Sequence, residues 1–237
     1  MDDTPGYRPL YRQVRDILVK RIATGTWQAG QILPSEGEIA ADLGVSQGTV
    51  RKALDEMTAE NLVTRRQGRG TFVARHDDAR ILFQFFKLLP DSGEKRFPES
   101  CVQSVQLCSV TEAARVLGLT DTDSLILVER IRSLDGLPCI LERIYLPEHM
   151  FRGLNKRDLP NNLYQLYSVE YGVTIARATE RLKAVVAETR EAKALGGAAG
   201  DPLLRIDRTA YALDGRPVEW RVSLCRTESV HYLSDLR

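Results

Sequence analysis

The 237-residue chain carries 33 Lys and Arg against 32 Asp and Glu, a formal net charge of +1, with 43% hydrophobic and 27% charged residues. That length suits one or two domains, each large enough to bury a core, and the near-zero charge excludes a global attraction to polyanions. No apolar run approaches the roughly 18 residues that span a bilayer, and the start Met1-Asp2-Asp3-Thr4 is acidic where a secretory leader is basic, so the expected location is the cytoplasm, with no membrane partner. Cys101, Cys108, Cys139 and Cys225 contain no C-x-x-C pair, and His76, His149 and His231 lie far apart. Neither a disulfide framework nor a zinc site is expected, and no cofactor is implied.

From Leu10, the apolar residues Leu10, Val14, Ile17, Leu18 and Ile22 recur at helical spacing and predict an amphipathic helix. Gly25 marks its end, since glycine is favoured just past a helix C-terminus. Ser35-Glu36-Gly37-Glu38 reads as a capping box that starts a second helix at Glu36, with Ile39, Ala40 and Leu43 inward. Gly44-Val45-Ser46 breaks that helix, and Ser46 is placed to cap a third from Gln47 to about Glu60, with Val50, Ala53, Leu54 and Met57 on its core side. Two short helices around a three-residue turn form a helix-turn-helix pattern. Leu62–Arg66 and Gly70–Ala74 are strand-like and enclose Gln67-Gly68-Arg69. A hairpin with a basic, glycine-containing tip after a recognition helix is a wing, suited to a narrow minor groove of negative potential. Tyr11 and Trp27 read as packing residues.

Pro9-Leu10-Tyr11, Leu33-Pro34-Ser35-Glu36, Gly44-Val45-Ser46, Thr49-Val50-Arg51, Ala53-Leu54 and Arg65-Arg66-Gln67-Gly68-Arg69-Gly70-Thr71-Phe72-Val73 together resemble the winged helix-turn-helix of the GntR family of bacterial transcription regulators, over nearly all of residues 8–74. The resemblance implies a double-stranded DNA operator as partner. The DNA-facing candidates are Ser35, Ser46, Gln47, Thr49, Arg51 and Lys52, with Arg65, Arg66, Gln67, Gly68 and Arg69 in the wing. At two positions where the family often has arginine, this chain has Gln47 and Gly37. Glutamine pairs bidentately with adenine where arginine prefers guanine.

His76–Arg80 is polar and reads as a linker, Ile81–Leu89 with Phe83, Phe85 and Phe86 opens a new core, and Asp91–Arg96 reads as a turn. An internal repeat follows. Thr111–Gly118 recurs as Thr189–Gly196, and Leu125–Arg130 as Leu203–Arg208, at an offset of 78 residues; Leu134-Asp135-Gly136-Leu137-Pro138 recurs as Leu213-Asp214-Gly215-Arg216-Pro217 after one insertion. Each copy predicts a helix, a strand, a tight turn and a second strand. Two copies supply four antiparallel strands of one sheet with helices packed on it, an α+β domain. Between them Asn161–Leu166 starts a helix that ends near Tyr171-Gly172.

This half resembles the UTRA effector-binding domain of the HutC subfamily of GntR regulators, a fold similar to chorismate lyase, over about residues 80–235. The resemblance implies an effector site at Arg130, Arg132, Glu142, Asn162, Tyr164 and Glu219, with Asn162 where the family has serine and Cys225 where it has a late tyrosine. Strand alternation puts Arg130 and Arg132 on one face, where two guanidiniums suit a carboxylate or phosphate; a structural ion network with Glu142 is the alternative. The expected organisation is a winged domain at 1–75, a linker at 76–80 and a UTRA effector-binding and dimerisation domain at 81–237. The expected function is a ligand-responsive regulator, not an enzyme: a homodimeric repressor released from a pseudo-palindromic operator by a small anionic metabolite. An enzyme reading suffers from the absence of any nucleophile–base constellation. An effector-free DNA-binder would require the arginine site to be filled by protein side chains.

Overall fold

The computed structural model describes residues 9–23, 25–28, 30–59, 62–74, 86–92 and 98–234. The predicted linker at 76–80, the opening residues 81–85 of the second core and most of the turn at 91–96 lie outside the described residues. The chain divides into two compact units, Met1–His76 and Asp77–Arg237.

The first unit packs α1 (Leu10–Ala23), α2 (Glu36–Leu43) and α3 (Gln47–Ala59) beside a hairpin of β1 (Val63–Arg66) and β2 (Gly70–Val73). The capping box forms as the sequence predicts. The Glu38 amide donates to Ser35 Oγ at 3.2 Å, and the Ser35 amide donates to a Glu38 carboxylate oxygen at 2.7 Å. Gly44 ends α2 in the left-handed region at φ 64°, and Ser46 Oγ accepts from the Thr49 amide at 3.1 Å to start α3. Val50, Ala53, Leu54 and Met57 are buried. The stripe on α1 differs from the predicted one: Val14, Leu18 and Val19 are buried, while Leu10 and Ile17 are 50% and 43% exposed. The inward face is rotated toward Val19, and Leu10 sits in the first turn, beyond the end of the core.

The second unit contains β3 (Leu88–Pro90), β4 (Glu99–Cys108), α4 (Thr111–Val116), β5 (Leu125–Leu134) and β6 (Leu137–Pro147). These are followed by α5 (Leu163–Tyr171), β7 (Ile175–Val186), α6 (Thr189–Leu195), β8 (Pro202–Ala212), β9 (Pro217–Cys225) and β10 (Val230–Tyr232). Six strands form one antiparallel sheet in the order β4-β5-β6-β9-β8-β7. The repeat is therefore longer than the sequence suggests. Strands β4 and β7 precede α4 and α6 in matching positions, so each copy is strand–helix–strand–strand and the sheet has six strands rather than four. In the sheet the two copies are joined by the β6–β9 pairing, from Ile140↔Cys225 to Tyr145↔Trp220. The β5–β6 turn is tight, with Asp135 and Gly136 both at positive φ (49° and 79°).

One face of the sheet is covered by α4 and α6, which pack Ala113, Leu117, Ala192 and Leu195 against Leu125, Leu141, Leu203 and Trp220. On the other face α5 covers one end, with Leu163 and Tyr167 against Ile126, Ile144 and Ala210. The β3–β10 ribbon covers the far end, with Leu88 and Val230 against Ile140, Ile206 and Cys225. Between these apolar ends runs a band of charged side chains. Among the described residues no helix is long and apolar enough to cross a membrane.

Candidate functional site

In the first unit, the start of α3 and the hairpin tip present polar side chains to solvent. Ser46, Gln47, Arg51 and Lys52 are exposed, as are Ser35 and the whole run Arg65–Arg69, while Thr49 is half-buried and bonded to Ser46 through its hydroxyl at 2.9 Å. An open groove of about 860 Å³ between the hairpin and the start of α2 is lined by Ser35, Glu36, Arg65, Gln67 and Thr71. Ile32 bridges Phe72 at its edge. The positions that depart from the family pattern are neighbours: a Cβ on Gly37 would lie 3.0 Å from Gln47 Nε2, so the carboxamide rests on bare backbone.

The cations of this face do not all point outward. Arg51 Nη2 lies 2.8 Å from Glu36, and Arg65 lies 3.2 Å from Glu36 and 2.6 Å from Asp55. Lys52 Nζ sits 4.2 Å from the Tyr11 ring centre and the Arg66 guanidinium 5.0 Å from that of Phe72. Trp27 is buried, as expected of a packing residue.

In the second unit the sheet brings five of the six predicted effector residues into or beside the charged band. Strand β5 supplies Arg130 and Arg132, β6 supplies Glu142, and β9 supplies Glu219; α5 supplies Tyr164. All five are buried. Arg130 Nε donates to Glu142 and its Nη1 donates to the Asn161 carbonyl at 3.2 Å. Arg132 lies 4.0 Å from Glu142, donates from Nη2 to the Pro98 carbonyl at 3.2 Å, and stacks 4.7 Å from the Phe86 ring centre. Among the described residues its Nε, in a side chain 3% exposed, has no hydrogen-bond partner. Asn162, the sixth residue, is the N-cap of α5 and accepts from the Gln165 amide at 3.3 Å, so this oxygen is engaged in capping.

Sequence reasoning missed the residues that complete the band. Arg221 on β9 binds Glu219 bidentately at 2.9 and 3.0 Å and reaches Glu142 at 3.4 Å. The Tyr164 and Tyr167 hydroxyls both donate to Glu219 at 3.0 Å. Arg208, the counterpart of Arg130 in the second copy of the repeat, pairs with Glu180 at 2.5 Å, and Tyr232 of β10 donates to that same carboxylate. The repeat offset was the available signal for Arg208. For Arg221 the signal was its alternation with Glu219 and Ser223 on one strand face.

Burial disfavours charge throughout the band, and the partners decide which charges survive. Against burial, Arg130, Arg221 and Arg132 together hold the Glu142 carboxyl well below the usual carboxylate range. Burial, reinforced by Arg130 and Arg221 and only partly offset by Glu142, pushes Arg132 down to about 9. Burial and the neighbouring Glu219 push Tyr164 up to about 12. Burial also raises the Cys225 thiol, so the position where the family has tyrosine holds a neutral, apolar group. Among the described residues, four arginines (130, 132, 208, 221) face three carboxylates (142, 180, 219) in this band, one more positive charge than negative. Guanidiniums gathered in this way can accept a small anion.

The chain matches the family described as bacterial regulatory proteins, gntR family, over residues 10–73, and the UTRA domain over residues 98–231. It is 32% identical over 233 residues to the HTH-type transcriptional repressor NagR of Bacillus subtilis, covering 96% of both chains. Among solved structures, the ligand-binding domain of a GntR-family transcriptional regulator from Bordetella bronchiseptica aligns at TM-score 0.60 and 33% identity, over 65% of this chain and 98% of that one. PhnF from Mycobacterium smegmatis aligns at TM-score 0.57 and 26% identity, over 94% of this chain and 99% of that one. These proteins and domains are transcription regulators, not enzymes.

Proposed function

The chain belongs to the GntR family of bacterial transcription regulators, in its UTRA-bearing, HutC-like branch, and from that premise we propose a homodimeric cytoplasmic repressor released from a pseudo-palindromic operator by a small anionic metabolite. The chain is a DNA-binding transcriptional repressor of GntR type with a UTRA effector domain. In the proposed mechanism residues 1–75 read DNA. The Gln47–Lys52 end of α3 enters the major groove, with Gln47 set toward adenine, while Gly68 and Arg69 reach the adjacent minor groove and Ser35, Ser46, Thr49, Arg51, Arg65, Arg66 and Gln67 meet phosphates or base edges. Residues 81–237 hold the effector at Arg130, Arg132, Glu142, Tyr164 and Glu219, with Asn162 at the adjoining helix N-terminus, and pair with a second copy. Effector binding alters the separation of two winged units through the linker at 76–80, and a two-fold operator penalises any change in that separation.

The observation that carries the effector reading is Arg132, whose buried Nε lacks a partner among the described residues, in a band where those residues supply four arginines and three carboxylates. The test is a thermal-shift screen of the full chain against amino acids, carboxylic acids, sugar phosphates and fatty acids. An effector at a hundred times its dissociation constant stabilises the fold by about 2.7 kcal/mol, several degrees in Tm, and the shift is expected to vanish in Arg132→Met. No shift in any class, with Arg130→Ala itself strongly destabilised, would leave the band as a structural ion network and the protein as an effector-free DNA-binder.

A further inference from the structure

Glu36 stands where the helix dipole favours an acid but nearby phosphates would not. It lies in the first turn of α2, on the face assigned to DNA, where every phosphate would repel it. Its side chain is 25% exposed, and its two oxygens are divided between two elements. Oε2 accepts from Arg51 of α3, from Nε at 2.9 Å and with Nη2 at 2.8 Å. Oε1 accepts from Nη2 of Arg65 of β1 at 3.2 Å. The same Arg65 nitrogen lies 3.4 Å from the Arg51 carbonyl, and the other terminal nitrogen is held by Asp55 of α3 at 2.6 Å. Glu36 thus joins Asp55 and the Arg51 carbonyl in tying the recognition helix to the first strand of the wing, and alone among the three it also anchors both to α2. Exposed ion pairs of this kind add little to stability, and the helix dipole, which favours an acid in the first turn, does not call for a carboxylate shared between two arginines.

We infer that Glu36 is a positioning residue for sequence-specific DNA binding, fixing the angle between recognition helix and wing by splitting its carboxylate between Arg51 and Arg65. The inference rests on the proposed groove assignment. Because major-groove and minor-groove contacts must be satisfied at once, the operator is read only while the two elements keep their relative orientation. Non-specific binding makes no such demand and depends on charge alone. Removing the carboxylate therefore acts in opposite directions: it frees two guanidiniums for phosphates and loosens the geometry that reads bases.

The experiment uses the full chain, a duplex enriched by the wild-type protein from a random pool, and a scrambled duplex of equal length. For Glu36→Gln the selected duplex is expected to bind about tenfold more weakly, and the scrambled duplex as tightly as before or a few-fold tighter. Glu36→Asp, one carbon too short to bridge both arginines, is expected to lose the same discrimination while keeping the charge, which separates geometry from electrostatics. Equal changes on both duplexes, or full discrimination in Glu36→Asp, would overturn the inference. Enrichment of no sequence by the wild type would instead sink the DNA-reading assignment and the inference with it. Far-ultraviolet circular dichroism and Tm of both variants confirm that the winged unit still folds.

Discussion

The two units use the same residue types, arginine and glutamate, under opposite solvation, and the contrast explains their different work. Around Glu36 the ion pairs are exposed; such pairs contribute about 0–1 kcal/mol each and can be exchanged for phosphates. Around Glu142 the arginines are buried away from solvent, so each charge must be met by another. A DNA-reading surface needs charges that can change partners, and a sensor needs charges whose balance is altered by one added anion.

Glu142→Ala tests the contrast most severely. It leaves Arg130, Arg132 and Arg221 without their shared counter-charge and is expected to destabilise the second unit by about 3–5 kcal/mol in urea unfolding; a loss below 1 kcal/mol would show that the band is more hydrated than its burial indicates. Acid should act on the same group. The Glu142 pKa is lower folded than unfolded, so its contribution is complete above the ordinary value of 4.5 and is lost as pH falls below it. Tm measured from pH 6 to pH 3 is expected to fall more steeply in the wild type than in Glu142→Gln. In the winged unit, Ser35→Ala removes one half of the capping box and should lower stability by about 1 kcal/mol, seen as an earlier unfolding transition. Arg69→Ala sits at the mildest end for folding, with stability unchanged within about 0.5 kcal/mol. Its effect belongs to DNA, where removing one cation from the minor-groove contact reduces the slope of log K against log salt by up to about 0.9.

These outcomes depend on features that were unequally legible in the sequence. Caps, helical periodicity and the glycine-centred tip are local, and they located α2, α3 and the wing to within a residue or two. The internal repeat exposed β5, β6, β8 and β9 because copies of one unit resemble each other. Strands β4 and β7 stayed hidden because they are the two edges of the sheet, and their outward polar residues blur the alternation that marks a strand. For Arg221 the bidentate partner Glu219 is only two residues away, but its link to Glu142, 79 residues distant, depends on the β6–β9 register and left no local mark. Arg51 and Arg65 were read as free to meet DNA, and nothing local announces that Glu36, 15 and 29 residues distant, holds both.

The β6–β9 seam has a kinetic consequence. On either side of it the sheet is a three-strand meander of consecutive strands, β4-β5-β6 and β7-β8-β9, in which every pairing joins near neighbours in sequence. Within this sheet the seam joins residues as distant as Ile140 and Cys225, and outside it the β3–β10 ribbon closes the still longer loop from Leu88 to Tyr232. Loop-closure entropy for this unit is therefore concentrated in two late events, the docking of two locally assembled halves and the closing of that ribbon, and the charged band that straddles the seam comes together only when the halves have docked.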